Sequence, residues 1–531
     1  MKILFTNFLC ILLFISFNTA RSSAEPYSIE LERINMPGTP SIHSFAFAQS
    51  NGKWLFIGGR TNGLHGFDAA SAFPKQYANK NIFVINPNTL QTYSRNIFID
   101  CAYSTADPLR STNMQFVQDG NKLYITGGYG FDSTSGNFVT FPVLTVIDVE
   151  EMIQAVSTGA SVLPHIRQLT DSRVQICGGD LEKLGDYFYL AGGHNFNGLY
   201  SNFSNDQVYS NQIRKFKITD TGGNLGITDY STADDTVEFH RRDMNVVPAM
   251  KPDGVTPYLM LYGGVFRHGS NTPYLNPINI EASGTFVDFT FTQKMSQYTC
   301  AFLNAFNPTS GDMHTTFFGG MSVYYYNEIT QMQVYDSLVP FINDITTLTK
   351  FSSGISEEKI SITKMPALLG TNAQFILEPS IPQFSNGVIK LNELSGRTFA
   401  GYIFGGIRAL LPNNTPSFPS DYILKVYITP KVVNITTLSS NIPAKYELAQ
   451  NYPNPFNPST KIKFSVNSGS QETTLRVFNS LGNEVGLLVN QRLSAGVYEV
   501  SFDGSKMSGG IYFYKLQSGN FTETRKMLLI K

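Results

Sequence analysis

Cysteine is nearly absent from the chain: four in 531 residues, with Cys10 inside an apolar leader. The other three, Cys101, Cys177 and Cys300, are too few and odd in number for a disulfide framework. Cys177 in "VQICGG" and Cys300 in "YTCAFL" lie in apolar runs, where buried packing is the expected role. Charge is also sparse, at 15% of residues, with 39 basic against 40 acidic. Such a balance lacks the basic stripe of a general nucleic-acid binder. Tryptophan occurs once, as Trp54, inside an expected strand and therefore expected in the core. Long apolar runs are missing after "FLCILLFISF" (Phe8 to Phe17), a ten-residue stretch too short to span a bilayer. Lys2 precedes it and the small residues of "NTARSSAEP" follow, which is the plan of an export signal cleaved after Ala20 or Ala24. No small residues of a lipoprotein cleavage site precede Cys10. Residues 1–24 are thus read as a signal peptide, and the mature chain as exported, with no membrane span.

Glycine, asparagine, serine, threonine and aromatic residues are plentiful, a composition of strands and loops that points to an all-β chain. The two ends differ in charge: residues 25–445 carry 28 basic and 34 acidic residues, and 446–531 carry 9 and 6. The longer segment repeats a single unit, an apolar strand ending in two glycines: "WLFIGG", "LYITGG", "FYLAGG", "LMLYGG", "TFFGG" and "YIFGG". The first glycines are Gly58, Gly127, Gly192, Gly263, Gly319 and Gly405, spaced by 69, 65, 71, 56 and 86 residues. A seventh pair, Gly178/Gly179, lacks the preceding strand and is left out of the repeat. Each unit has a strand before the diglycine strand, joined by turn residues such as "SNGK" or "QDGNK", and two strands after it.

Six such four-stranded units resemble the kelch family of β-propellers, over roughly residues 25–438 and with longer loops than the usual period. The fold expected is therefore a six-bladed kelch-like propeller. "SIELERINMPGTPSIHSFAF" (Ser28 to Phe47) parallels "ISITKMPALLGTNAQF" (Ile360 to Phe375), with Pro37 matching Pro366. The parallel predicts that residues 28–35 complete the last blade and close the ring, hiding two raw sheet edges. "VVNITTL" (Val432 to Leu438) competes for the same edge.

After an expected linker at 439–450, "NYPNPFNPSTKIKF" packs three prolines into an extended, non-helical turn before an alternating strand. Six or seven short strands in residues 451–531 make a small Ig-like β-sandwich. The motifs "YPNPFNPST", "LRVFNSLGNEV", "LSAGVYEVSFDG", "GGIYFYKLQSG" and the terminal "RKMLLIK" closely resemble the type A C-terminal sorting domain of the type IX secretion system. The resemblance implies the type IX machinery as partner and a destination outside a Gram-negative bacterium, reached through the periplasm: secreted or on the outer cell surface.

Antiparallel order puts the starts of the innermost strands and the loops after the diglycines on one rim. Aligning the units on apolar alternation places Ser44, Asn113, Arg173, Asp243, Thr299 and Asn372 at those starts. One residue earlier lie His43, Thr112, Ser172, Arg242, Tyr298 and Thr371. Two readings fit a mouth of this kind, plain hydration of a channel or a pocket for a small polar or acidic ligand. "EFHRRDMNV" is the densest stretch; Arg241 and Arg242 beside Asp243 could clamp a carboxylate or phosphate, or form an ion-pair network with Glu238. His65, His194 and His268 lie in three post-diglycine loops at unequal offsets, which argues against a metal cluster. Copper radical oxidases use similar propellers, but no cysteine here has an evident tyrosine partner. No cofactor is expected. Gly-x-Ser-x-Gly, His-Glu-x-x-His, phosphate-loop and sialidase-type aspartate-box signatures are absent. A stacking platform for glycans would have to use Tyr324, Tyr325 and Tyr326. The leading expectation is a propeller that binds a protein or small polar ligand at this rim, more binder than enzyme. The alternative is a sugar isomerase or epimerase of the kelch kind using His240, Arg242, Asp243 and Arg173.

Overall fold

Turn residues between paired apolar strands dictate hairpins, and the hairpins assemble into six antiparallel sheets laid down in chain order. The computed structural model describes residues 25–531 apart from 67, 69, 201–206, 222, 271, 395, 431–434, 440–441, 469–470 and 506. The expected signal peptide lies outside the described residues. Blade 1 holds Ala46–Ser50, Lys53–Ile57, Asn81–Asn86 and Gln91–Asn96. Blade 2 holds Gln115–Asp119, Lys122–Thr126, Val143–Asp148 and Ile166–Thr170. Blade 3 holds Cys177–Leu184, Tyr187–Asn195, Gln212–Thr221 and Asn224–Asp234. Blade 4 holds Arg242–Met250, Pro257–Val265, Ile278–Glu281 and Gly284–Val287. Blade 5 holds Ala301–Asn307, Asp312–Met321, Phe341–Lys350 and Ser356–Lys364. Blade 6 has three strands from this end, Leu368–Leu377, Thr398–Leu411 and Ile423–Pro430, and takes its outermost one, Tyr27–Ile34, from the other end of the propeller sequence.

The expected closure of the last blade by residues 28–35 is made by Tyr27–Ile34, one residue earlier: Tyr27 faces Pro430 and Ile34 faces Ile423 across an eight-residue antiparallel ladder. Tyr27 and Ile29 are buried, and the Tyr27 hydroxyl reaches Thr316 Oγ1 of blade 5 at 2.6 Å. With the edge filled, the competing stretch pairs elsewhere: Ile435–Ser439 lies against Gly496–Asp503 in the C-terminal unit. Two compact units result, Pro26–Val432 and Val433–Lys531. The expected linker also contributes a short strand, Glu447–Leu448, paired with Ser465 and Phe464.

The diglycines hold neighbouring blades together. In blade 2 Gly127 and Gly128 have φ of +63° and +91°. This left-handed pair turns the Gly128 N–H onto the Ile176 carbonyl of blade 3 at 2.9 Å. The same bond recurs as Gly59 to Ser111, Gly193 to Arg241 and Gly406 to Ile42, at 2.7–3.0 Å, the last joining blade 6 to blade 1. Trp54 is buried as expected, its ring 4.8 Å from that of Tyr402.

Burial of blade 5 also buries a histidine. His314 bonds through Nδ1 to Thr349 Oγ1 at 2.9 Å and meets the Tyr27 ring edge-on. Desolvation pushes its pKa down to about 3, against 6.5 for an exposed imidazole. Between those values the unfolded chain binds a proton that the native state refuses. Stability from this group is therefore full above pH 6.5 and lost as pH falls. The cost of His314→Gln in urea unfolding is expected to shrink by about 1.4 kcal/mol per unit between pH 6 and 4. A cost independent of pH would mean that native His314 carries charge.

The C-terminal unit is a sandwich of two four-stranded sheets, one or two strands more than expected. Ile462, Phe464, Val477, Val500, Tyr514 and Met527 fill its core. The proline-rich turn is tied at both ends. Asn451, buried, donates through Nδ2 to the Pro453 carbonyl and to Thr460 Oγ1, each at 3.0 Å, and its N–H bonds the Tyr514 hydroxyl. Phe456 sits in the core, with its N–H on the Leu528 carbonyl of the last strand at 2.9 Å.

Candidate functional site

The channel mouth of the propeller is built in layers by the strand geometry. At the start of each innermost strand stand Ser44, Asn113, Gly178, Asp243, Thr299 and Asn372. Five of them have positive φ: 56°, 53°, 64°, 54° and 56° for Ser44, Asn113, Gly178, Asp243 and Asn372. Their backbones link blade to blade: Gly178 N–H to Asn113 at 3.0 Å, Thr299 to Asp243 at 3.0 Å, Asn372 to Thr299 at 2.7 Å. Asparagine and aspartate are the non-glycine residues that tolerate this conformation best, so backbone geometry selects some of the polarity at this mouth.

Blade 3 departs from the expected alignment. Arg173 lies in a short turn, Ser172–Val174, where Nη2 and Nε grip Asp171 at 2.6 and 3.0 Å. Its guanidinium sits 5.2 Å over the ring of Tyr230, on the outermost strand. Neither Arg173 nor Ser172 reaches the mouth. Gly178 and Cys177 take those places, because the strand comes five residues later than the apolar alternation suggests. The glycine pair left out of the repeat therefore belongs to the ring.

The second layer is His43, Thr112, Cys177, Arg242, Tyr298 and Thr371. It pairs with the residues just after the diglycines, among them Arg60, Tyr129 and His194. Together these layers enclose a pocket of about 40 Å³ lined by His65, Phe73, Thr112, Asn113, Tyr129, Cys177, His194, Phe196, Tyr200, Arg242, Asp243 and Tyr298. It shares Asn113 and Asp243 with a second cavity of about 80 Å³ further down the channel, where Ser44, Thr299 and Asn372 also lie. A long connection packs against the far end of blades 4 and 5. The long connection between Leu377 and Thr398 lays Ile389–Lys390 alongside Ala305 and Phe306, on the inner edge of blade 5. It also bonds blade 4 through Asn386 Nδ2 to the Ala249 carbonyl at 3.3 Å. Val388, Ile389 and Leu391 of this connection are fully buried. No periodicity in the sequence marks it.

Arg242 is the buried hub of the pocket. Its Nη2 donates to the Tyr200 hydroxyl at 2.8 Å; its Nη1 donates to His194 Nε2 and to Gln207 Oε1, both at 3.3 Å. Asp243 accepts from the Tyr298 hydroxyl at 2.6 Å and from Asn113 Nδ2 at 3.4 Å. Burial raises the Asp243 carboxyl above its ordinary range, against the Arg242 charge and the Tyr298 hydrogen bond. Burial, then the Arg242 charge, hold His194 neutral, well below 6.5. Desolvation lowers His65 to about 4. It raises the Cys177 thiol to about 12.

Most of the other expected residues stand outside the pocket wall. His43 is buried beside the mouth: Nε2 donates to the Asn62 carbonyl at 2.9 Å, so Nδ1 accepts from the Ser44 hydroxyl at 2.9 Å. Arg241 is structural, bonded to the Glu238, Gly263 and Asn276 carbonyls and to the Glu238 carboxylate at 2.6–3.1 Å. His240 stacks on Tyr209 at 3.8 Å and bonds Asn211, outside the pocket wall. His268 is exposed, edge-on to His240. Tyr324, Tyr325 and Tyr326 form one strand of a hairpin and are half-buried, so they offer no open platform. Cys177 is buried as expected, yet it stands among Tyr129, Tyr200 and His194, a neighbourhood hidden by sequence distance. Among the described residues no group of three or more His, Cys, Asp or Glu side chains is placed to hold a metal ion.

No curated protein matches the chain. The solved structure described as "Structure of YjhT" aligns with it at 12% identity and a TM-score of 0.40, covering 72% of this chain and 94% of that one. No helix among the described residues is long and apolar enough to cross a membrane. Residues 450–531 match the family described as the secretion system C-terminal sorting domain, and the protein is accordingly one that type IX secretion exports to the cell surface or beyond it.

Proposed function

We propose that the exported propeller binds a small polar or acidic ligand in the rim pocket around Arg242. One observation carries this reading: the channel mouth holds a pocket with aromatic walls and convergent polar groups. The enzyme alternative needed His240 and Arg173 beside Arg242 and Asp243, and two of the four lie outside the pocket.

A thermal-shift screen of small molecules against the mature protein tests the proposal. Compounds that stabilise it are expected to lose at least tenfold in affinity on Arg242→Met and to keep wild-type affinity on Arg173→Ala. Equal losses on both variants, or none on Arg242→Met, would overturn it.

A further inference from the structure

Resting on that reading, we propose that the ligand group held at Arg242 is a single carboxylate, a monoanion on an otherwise polar small molecule. The balance of charge around the pocket supports a monoanion. Among the described residues Arg242 and Asp243 are the only cation and anion in its wall. Behind that wall lies Arg60, buried, its guanidinium 5.1 Å over the ring of Phe73, which stacks on His65 at 4.2 Å. Arg60 bonds only neutral oxygens, Asn62 Oδ1 and the Pro74 carbonyl, each at 3.0 Å, and among the described residues no carboxylate pairs with it. The two histidines of the wall stay neutral beside these cations. Among the described residues the region therefore carries one positive charge in excess, in surroundings where an uncompensated charge is costly.

Hydrogen bonding marks the place. The Arg242 side chain is 8% exposed, and its buried Nε lies 3.5 Å from Asp243 Oδ2 and makes no hydrogen bond among the described residues. Asp243 is already engaged by Tyr298 and Asn113, so it satisfies Arg242 incompletely. A planar carboxylate matches a guanidinium edge and supplies one negative charge. Phosphate near neutrality brings up to two charges and a tetrahedral head, leaving a surplus negative charge beside Asp243. About 40 Å³ takes a headgroup of a few atoms, with the rest of the molecule directed to the rim.

Saturation-transfer NMR on the full mature chain separates these possibilities with three probes: acetate, its neutral isostere acetamide, and inorganic phosphate as competitor. Acetate is expected to bind at least tenfold tighter than acetamide, and equimolar phosphate to leave its signal intact. Arg242→Met should abolish the signal, and Arg242→Lys, which keeps charge but loses the planar edge, should weaken it about tenfold. Should Arg242→Met fail to fold, the comparison of acetate with acetamide on the wild type decides alone. Equal binding of acetate and acetamide, both lost on Arg242→Met, would overturn the carboxylate while leaving a binding pocket. Displacement of acetate by less than equimolar phosphate would overturn it in favour of a phosphorylated ligand. No acetate signal on the wild type would also overturn it, and the screen above would then judge the pocket itself.

Discussion

Gly127→Ala is expected to destabilise the propeller by about 4 kcal/mol or more, enough to leave much of the chain unfolded at ordinary temperature. A Cβ at this position would stand 1.9 Å from the Ile176 carbonyl oxygen, which is backbone of the next blade and is itself held by the Gly128 N–H. The residue also has φ of +63°, which costs an alanine about 1 kcal/mol or more before any clash. Gly319→Ala is expected to behave alike, since its Cβ would meet the Leu369 carbonyl at 1.9 Å. Gly120→Ala is the control: its φ is +56°, but nothing lies within 4 Å of the added carbon, so only about 1 kcal/mol should be lost. Urea unfolding of the three variants measures the difference. If Gly127→Ala falls within 1 kcal/mol of Gly120→Ala, the diglycines are not the points of closest blade-to-blade approach.

The same contact explains why so much of the fold was legible in the sequence alone. A backbone approach of this kind admits only glycine, and it recurs once per blade, so it leaves a repeated and visible mark. The tail was legible for a related reason: buried Asn451 and Phe456 need a particular run of prolines and asparagines around them. The mouth was harder to read because it mixes two causes of polarity. Ser44, Asn113, Asp243 and Asn372 are polar partly for the sake of a left-handed backbone, whereas Arg242 and His194 are polar toward the pocket. Alternation alone then misplaced blade 3, where a single turn after Asp171 delays the strand and substitutes Cys177 and Gly178 for Ser172 and Arg173. The connection after Leu377 escaped notice because its two-residue strand borrows an existing edge and carries no period of its own.

Removing residues 25–34 is expected to abolish cooperative folding of the propeller, and a peptide of those residues added in trans is expected to restore it. Without Tyr27–Ile34, blade 6 keeps three strands and exposes the whole edge of Ile423–Pro430, eight residues of unpaired backbone. The inward face of the missing strand is also lost. Tyr27 and Ile29 are buried in a cluster with Ile345, Met365 and Leu424, a cluster that spans blades 5 and 6. Burying two such side chains contributes about 3–6 kcal/mol. The exposed pair Glu30–Arg397 adds little, because both partners are about half open to water. Rescue by the peptide discriminates closure from mere chain length, since the strand brings its own ladder and its own anchors, as in β-strand addition. Near-UV circular dichroism and a urea midpoint for the truncated chain, with and without the peptide, supply the measurement. A truncated chain that melts as the wild type does, or one that the peptide leaves unchanged, would mean that the ring closes through the diglycine bond from Gly406 to Ile42 and does not need its borrowed strand.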